Sequence, residues 1–179
     1  MLWQRLLTAL IGIPIILILF YFSGLPLFLA ASLMIGIGLM EFFRLIRGMG
    51  SKPLVIWGYI IGLSWIPLNI YLWEGKYFFP LLLLFFFFSI MDFLWRFPGR
   101  DLKDLCLSYF GGFYLGGLFS YMIKIREIES NGWILVLLVF LLTWVNDSAA
   151  YFIGSSFGKN RLCPKLSPKK SIEGFLGGI

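Results

Sequence analysis

An acidic side chain follows a long apolar run in the last third of the chain. Asp147 comes directly after WILVLLVFLLTWVN, and no basic residue stands within one helical turn of it. Ionisable groups in such a run are costly to keep in a membrane and are functional candidates by default. A bare carboxylate needs a cation, a metal or water as its partner, so Asp147 is a candidate functional residue. The alternative is a polar patch that packs helices together.

The residues that follow Asp147 allow a close approach to it. Asp147, Tyr151 and Gly154 share one face of a helix because they stand at i, i+4 and i+7. Small side chains surround this face, and small residues let another helix or a ligand come close. They are Ser148, Ala149, Ala150, Gly154, Ser155 and Ser156.

A basic segment comes next in the chain. Lys159 to Lys170 carries five positive charges and no acid. Pro164 and Pro168 prevent a continuous helix, and Pro168 also disfavours the α conformation at Ser167. The pattern predicts a fixed turn that presents Ser167, Lys169 and Lys170 together. The alternative is a basic loop that only meets lipid headgroups.

A helix is expected to restart just after this segment, with Ser171 as its N-cap. Glu173 then falls in the first turn, where the helix dipole favours a negative charge. The backbone N–H groups at that start, together with Lys169 and Lys170, would form an anion site suited to phosphate.

The elements that carry these residues are predicted to be membrane helices. Of the 179 residues, 60% are apolar and 13% are charged, and the mean hydropathy is +0.90. A span needs about 20 apolar residues, and six windows qualify: Leu6–Phe22, Leu27–Phe43, Leu54–Leu72, Tyr77–Leu94, Leu105–Ile123 and Trp133–Ile153. We expect an all-α, polytopic integral membrane helix bundle of about six spans, with a seventh starting at Ser171. Residues 1–179 would form a single transmembrane domain.

Loop charges predict the orientation. With the N-terminus inside, twelve of the fifteen Lys and Arg residues fall on the cytoplasmic side, which fits the positive-inside rule. The basic segment would then face the cytoplasm. The net charge of +6 is explained by topology and headgroup contacts, so we expect no nucleic-acid partner. A bacterial inner membrane is the expected location because the sequence has no organelle targeting signal.

Two other acids near predicted span ends have arginine neighbours. Glu41 precedes Arg44 by three residues, and Asp92 precedes Arg96 by four. A functional role competes in both places with an ion pair on the helix surface.

The stretch NDSAAYFIGSSFGKNRLCPKLSPKKSIEG, residues 146–174, resembles the phosphatidate cytidylyltransferases (CDP-diacylglycerol synthases). That family's pattern is an Asp-Ser/Thr-x-Ala-Tyr-Phe-x-Gly stretch, a Phe-Gly-Lys, and Ser-Pro-Lys-Lys-Thr/Ser-x-Glu-Gly. The matching residues are Asp147, Ser148, Ala150, Tyr151, Phe152 and Gly154; Phe157, Gly158 and Lys159; and Ser167, Pro168, Lys169, Lys170, Ser171, Glu173 and Gly174. The opening QRLLTALIGIPI, with Arg5, and Glu41 also fit the family's start.

The resemblance implies a nucleotidyltransferase that joins CTP and phosphatidate into CDP-diacylglycerol and pyrophosphate, a step of phospholipid biosynthesis. The resemblance implies Mg²⁺ as the cofactor and the lipid bilayer as the protein's environment. It is also compatible with a homodimer. In the hypothesis that follows, Asp147 binds the metal or orients a metal-bound water, and Lys169 and Lys170 hold phosphates of CTP or phosphatidate. Glu173 orients a lysine or a metal-bound water. The other assigned residues are Ser167 and Ser171 as phosphate donors, Asn146 and Tyr151 as secondary contacts, and Lys159 and Arg161 as headgroup contacts.

The family continues with further helices and a C-terminal signature whose aspartates help to hold the metal. We therefore expect residues 1–179 to be the N-terminal two-thirds of a longer protein and to be inactive alone. Other functions stay open from the residues themselves. They are a CTP-dependent polyprenol or phytol kinase, an ion-coupled membrane transporter, and a structural membrane subunit.

Overall fold

The computed structural model describes residues 12–15, 17–68, 78–128, 131–164 and 167–179. Predicted boundaries at Leu6, Leu72 and Tyr77, and the charge of Lys165, lie outside these residues. The chain divides into two compact units, residues 1–132 and 133–179. The expectation of one transmembrane domain stays a prediction.

Helices occur wherever an apolar window predicts one. The first unit contains α1 (Gly12–Phe22), α2 (Gly24–Gly48), α3 (Val55–Pro67), α4 (Phe78–Trp95), α5 (Leu102–Gly111), a π-helical segment (Gly112–Gly117) and α6 (Leu118–Glu127). The second contains α7 (Gly132–Phe157), β1 (Arg161–Cys163), β2 (Ser167–Ser171) and α8 (Ile172–Gly177).

Three of these helical stretches are long and apolar enough to cross a membrane: α2, the continuous run Leu102–Glu127, and α7. The helices α1, α3 and α4 are apolar but shorter. The described helices thus confirm a helical, membrane-type protein, whereas the count of six spans is not confirmed.

The break between α1 and α2 falls at Ser23, directly after the first predicted window ends. Ser23 and Gly24 both have positive φ angles, 53° and 64°, a region that glycine enters without a steric penalty. The C-terminal end of α1 is bound by Arg126, which donates to the carbonyl oxygens of Phe20 (2.5 Å) and Tyr21 (2.9 Å). A cation at the negative end of a helix dipole is stabilising.

Helix α2 buries a single stripe. Its buried residues are Leu27, Ala31, Ile35, Leu39, Phe43 and Ile46, a spacing of three or four that places them on one face. The opposite face exposes Leu33, Ile37 and Leu45, among others. Such a face suits contact with lipid.

Glycines bring α3 and the π-helical segment into backbone contact. A Cβ added to Gly112 would lie 3.0 Å from the carbonyl oxygen of Gly58, and one added to Gly116 would overlap the backbone of Gly62. Small residues allow this approach between membrane helices.

The loop between α2 and α3 is bound to the start of α5 by buried polar groups. Asp104 accepts the backbone N–H of Lys52 (2.7 Å), and Ser108 Oγ accepts the N–H of Leu54 (2.7 Å). Ser108 Oγ also donates to the Asp104 carbonyl oxygen (2.7 Å). Buried backbone groups need such partners.

The two acids with arginine neighbours behave differently. Asp92 forms an ion pair with Arg96 (2.7 Å) and accepts a hydrogen bond from Trp57 Nε1 (3.1 Å), which confirms the structural interpretation there. Glu41 and Arg44 both lie within the described residues and form no salt bridge with each other. The ion-pair alternative for Glu41 is therefore wrong, and a functional role for Glu41 stays a prediction.

The second unit departs from an all-α fold in the basic segment. Strands β1 and β2 pair antiparallel, with Arg161 opposite Ser171 and Cys163 opposite Ser167. The prediction of a turn at Ser167–Lys170 is wrong, because these residues form the second strand of a hairpin. Pro168 excludes the helical conformation before it, and the extended segment gains its backbone partners from Arg161–Cys163.

Candidate active site

Helix α7 supplies one wall of a cavity of about 780 Å³. Asp147, Tyr151 and Gly154 all line it, as their i, i+4 and i+7 spacing predicts. Asn146 lines it too, and its side-chain amide donates to the carbonyl oxygen of Gly178 after α8. The carboxylate of Asp147 is exposed.

The hairpin supplies the opposite, basic wall. Arg161 of β1 and Ser167, Lys169 and Lys170 of β2 line the same cavity. Arg161 Nη1 lies 3.4 Å from the Lys169 carbonyl oxygen, which links the two strands. Both lysine side chains are exposed, so they are free to meet an incoming anion.

Ser171 joins the hairpin to α8 and is the predicted N-cap. Its Oγ accepts the backbone N–H of Gly174 at 3.1 Å, and the residue is only 4% exposed. An N-cap of this kind stabilises a helix start by about 1 kcal/mol. The prediction of a helix restart capped by Ser171 is confirmed, although α8 has six residues as described.

Glycines let α7 and α8 approach Ser171 closely. A Cβ on Gly174 would lie 2.8 Å from the Ala150 carbonyl oxygen and 2.9 Å from Gly154 Cα. A Cβ on Gly158 would lie 2.6 Å from Ser171 Oγ. These glycines therefore fix the distance between the Asp147 face of α7 and the lysine-bearing strand.

Glu173 stands apart from the cavity lining. Its carboxylate accepts hydrogen bonds from the backbone N–H of Asn160 (3.1 Å) and from Asn160 Nδ2 (2.9 Å), and the Asn160 carbonyl oxygen accepts the N–H of Ile172 (2.9 Å). The pKa of Glu173 is lowered, chiefly by a hydrogen bond from its own backbone N–H, with Asn160 adding to the effect. Glu173 thus ties the residue before β1 to the first turn of α8.

The structure brings eight of the ten predicted site residues to one cavity. They are Asn146, Asp147, Tyr151, Arg161, Ser167, Lys169, Lys170 and Ser171. Lys159 and Glu173 do not line it, and the roles assigned to all ten stay predictions. Asn160 was not anticipated, because its partner Glu173 is 13 residues away and no local pattern indicates the pair.

The charges of the lining favour an anionic ligand. Arg161, Lys169 and Lys170 face a single carboxylate, Asp147. No group of three acidic, histidine or cysteine side chains occurs in the described parts of the chain. Mg²⁺ is commonly held by one or two carboxylates together with phosphate oxygens of a ligand, and a single carboxylate that faces three cations fits that kind of site.

Helix α7 has membrane-spanning length and carries a cavity with a basic lining near its C-terminal end, an arrangement that suits an anionic ligand at a membrane surface. The sequence profile of the Cytidylyltransferase family matches residues 3–179. The chain belongs to that family.

Curated relatives carry a more specific name. The chain is 39% identical over 116 residues to the phosphatidate cytidylyltransferase of Aquifex aeolicus, covering 59% of this chain and 43% of that protein. It is 44% identical over 66 residues to the Bacillus subtilis enzyme, covering 37% and 24%, and 55% identical over 49 residues to that of Haemophilus influenzae, covering 27% and 17%. The chain thus spans less than half the length of these relatives.

Proposed function

We propose that this chain is the part of a phosphatidate cytidylyltransferase that binds the phosphates of its substrates. The protein would transfer the cytidylyl group of CTP to phosphatidate and release pyrophosphate. One observation carries the proposal: Asp147, Arg161, Lys169 and Lys170 line one cavity within a chain of the Cytidylyltransferase family. The names of the relatives supply the acceptor lipid.

The chemistry requires little from a general base. A phosphate oxygen of phosphatidate is already an anion when it attacks the α-phosphorus of CTP. The new P–O bond forms as the bond between the α-phosphorus and the bridging oxygen breaks, and pyrophosphate leaves with that electron pair. The protein's task is to position two anions and offset their repulsion.

The basic wall suits that task. Lys169 and Lys170 would bind the triphosphate, and Arg161 would offer a planar donor to a second phosphate. Hydroxyl groups of Ser167 and Ser171 stand in the same lining. Ser171 Oγ already accepts the Gly174 N–H and keeps its own hydrogen to donate.

Asp147 faces this wall from α7. Mg²⁺, when bound, would supply positive charge to the triphosphate, and Asp147 would hold it with Asn146 as a neighbouring oxygen donor. Glu173 acts differently in this proposal. It positions the hairpin through Asn160 and does not touch the substrates.

The proposed location follows from the same residues. The cavity would open to the cytoplasm, where CTP is available, because it lies in the most basic segment of the chain. Phosphatidate would enter from the membrane beside α7, which is long and apolar enough to cross it.

The test uses the full-length protein in vesicles with phosphatidate, Mg²⁺ and radiolabelled CTP, and the 179-residue chain in parallel. We expect labelled CDP-diacylglycerol from the full-length protein and a loss of on the order of a hundredfold for Asp147→Asn, since it removes the charge aimed at the metal. Glu127→Gln, which neutralises an exposed carboxylate outside the cavity, is the matched control. Absence of labelled lipid with a folded full-length protein would contradict the proposal.

A further inference from the structure

A second cavity, in the first unit, has a lining of different character. It has a volume of about 290 Å³ and is lined by Met40, Phe43, Arg44, Arg47, Val55 and Tyr59. This volume lies near the lower limit of the usual range for small-molecule pockets, roughly 300–1,000 Å³. The lining contains two guanidinium groups and no carboxylate.

The two arginines stand one turn apart near the C-terminal end of α2. Neither forms a salt bridge within the described part of the chain, and Glu41, the nearest acid in sequence, is not paired with Arg44. Both side chains are exposed. Two guanidinium groups at i and i+3 lie on the same side of a helix and can bind one phosphate between them.

The remainder of the lining is apolar and fixed. Phe43 is 2% exposed, its ring centroid lies 6.0 Å from that of Tyr59, and Tyr59 Oη donates to the Gly36 carbonyl oxygen (3.2 Å). The Tyr59 hydroxyl is therefore already engaged. Met40 and Val55 add hydrocarbon. The cavity thus combines a cationic rim with an aromatic and aliphatic floor.

The position of this cavity near the end of α2 indicates which kind of ligand it binds. Helix α2 is long and apolar enough to cross a membrane, and its outer face exposes Leu33, Ile37 and Leu45. Arginines in the last turns of such a helix reach the level of the lipid headgroups. Basic pockets between membrane helices on the cytoplasmic side bind anionic headgroups.

We propose that Arg44 and Arg47, with Phe43 and Tyr59, form a binding site for the phosphate headgroup of an anionic phospholipid of the surrounding bilayer. The phosphate contacts both guanidinium groups, and the glycerol and first methylenes of the lipid contact Met40 and Val55. This site belongs to residues 40–59 and shares no residue with the cavity of residues 146–179. It holds a resident lipid and takes no part in the transfer reaction.

The test measures retained lipid directly. The full-length protein is reconstituted in nanodiscs of equimolar phosphatidylglycerol and phosphatidylcholine, and the lipids that stay bound after release into mild detergent are counted by native mass spectrometry. We expect Arg44→Gln/Arg47→Gln to lower retained phosphatidylglycerol roughly tenfold, because two charge-assisted contacts are lost. Retained phosphatidylcholine should not change.

The matched control removes the same charge elsewhere. Arg100→Gln/Lys103→Gln deletes two positive charges on the same predicted side of the membrane without touching this cavity. An equal loss of phosphatidylglycerol in the control would overturn the proposal, because general surface charge would then explain binding. Unchanged retention in the Arg44/Arg47 variant would overturn it as well.

A third variant keeps the charges and fills the cavity. Val55→Trp should also lower phosphatidylglycerol retention, because the larger side chain fills the apolar part of the cavity while both arginines remain. Wild-type retention in a folded Val55→Trp protein would contradict a cavity-bound lipid. Glycerol 3-phosphate in solution should not displace the lipid, and displacement at low concentration would show that a free phosphate, not a lipid, is the ligand.

Discussion

At the scale of single residues, Lys169 and Lys170 test the phosphate assignment most directly. Both are exposed and line the cavity that contains Asp147. We expect Lys169→Ala/Lys170→Ala in the full-length protein to raise the apparent KM for CTP by about tenfold or more, because each lysine contributes a charge-assisted contact to phosphate. Initial rates at varied CTP concentration measure this.

The control for the lysines removes equal charge outside the cavity. Arg100→Ala/Lys103→Ala should leave the KM for CTP near its wild-type value. An unchanged KM in the Lys169/Lys170 variant would show that these lysines do not bind the nucleotide.

Glu173 gives a second prediction at this scale. Its pKa is lowered from 4.5, first by its own backbone N–H and then by Asn160, with desolvation opposing. A carboxyl with a lowered folded-state pKa contributes stability that is present above its unfolded pKa and is lost as the pH falls through the folded value. We therefore expect the link between Asn160 and α8 to persist at neutral pH and to weaken only as the pH falls below the ordinary pKa of a glutamate.

The titration of Glu173 is measured by NMR of the side-chain carboxyl in a detergent-solubilised sample. Its midpoint should lie below 4.5, and Asn160→Ala should raise it without restoring the full value, since the hydrogen bonds from the backbone N–H groups of Glu173 and of residue 160 remain. A midpoint at or above 4.5 in the wild-type protein would contradict the hydrogen bonds described here.

At the scale of elements, the contact between α7 and α8 depends on glycine. A Cβ on Gly174 would lie within 3.0 Å of two backbone atoms of α7, neither of which can rotate away. Gly174→Ala should therefore destabilise this contact by about 1–3 kcal/mol and lower the rate of CDP-diacylglycerol synthesis, because α8 and the lysine-bearing strand move together.

Gly36→Ala is the matched substitution. A Cβ at Gly36 meets nothing within 4 Å, and alanine in a helix interior is favoured over glycine by up to about 1 kcal/mol. Thermal unfolding of both variants in detergent measures the difference. Equal melting temperatures would show that the close packing at Gly174 is unimportant.

The buried link between the α2–α3 loop and α5 is a separate element. Ser108 is 1% exposed and satisfies the Leu54 N–H. Ser108→Ala leaves that buried donor without its partner, which costs about 1–3 kcal/mol. Ser32→Ala, which removes only a bond to the Phe28 carbonyl oxygen within the same helix, should cost much less by the same unfolding measurement.

Local patterns in the sequence predict part of this structure. The N-cap at Ser171 and the cavity face of Asp147, Tyr151 and Gly154 depend on residues within two helical turns, so sequence analysis finds them. The pairing of Arg161 with Ser171, the Asn160–Glu173 contact and the backbone contact of Gly62 with Gly116 join residues 10 to 54 positions apart. Several pairings are possible over such separations, and only packing in three dimensions selects one.

At the scale of the whole molecule, the hydropathy of the sequence predicts where the helices lie better than it predicts how many of them cross the membrane. Each of the six predicted windows contains a helix, yet within the described ranges three stretches meet the length and composition of a span. Buried apolar residues such as those of α3 raise hydropathy whether their helix crosses the bilayer or only packs within the bundle. Hydropathy alone therefore cannot give the number of crossings, and orientation has to be measured.

Cys163 reports that orientation. It is exposed in β1, in the basic segment that the positive-inside rule places in the cytoplasm. In a Cys106→Ser background, a membrane-impermeant maleimide should label Cys163 in inside-out vesicles and not in intact right-side-out vesicles.

The opposite side is tested with Glu127 at the end of α6. In a Cys106→Ser/Cys163→Ser background, Glu127→Cys should react in right-side-out vesicles and not in inside-out ones, because α7 is a helix of spanning length that follows Glu127 and precedes Cys163. Labelling of both positions from the same side would mean that α7 does not cross the bilayer. A Cys163 that reacts only from outside would place the basic cavity away from cytoplasmic CTP, and the proposed reaction could not use it.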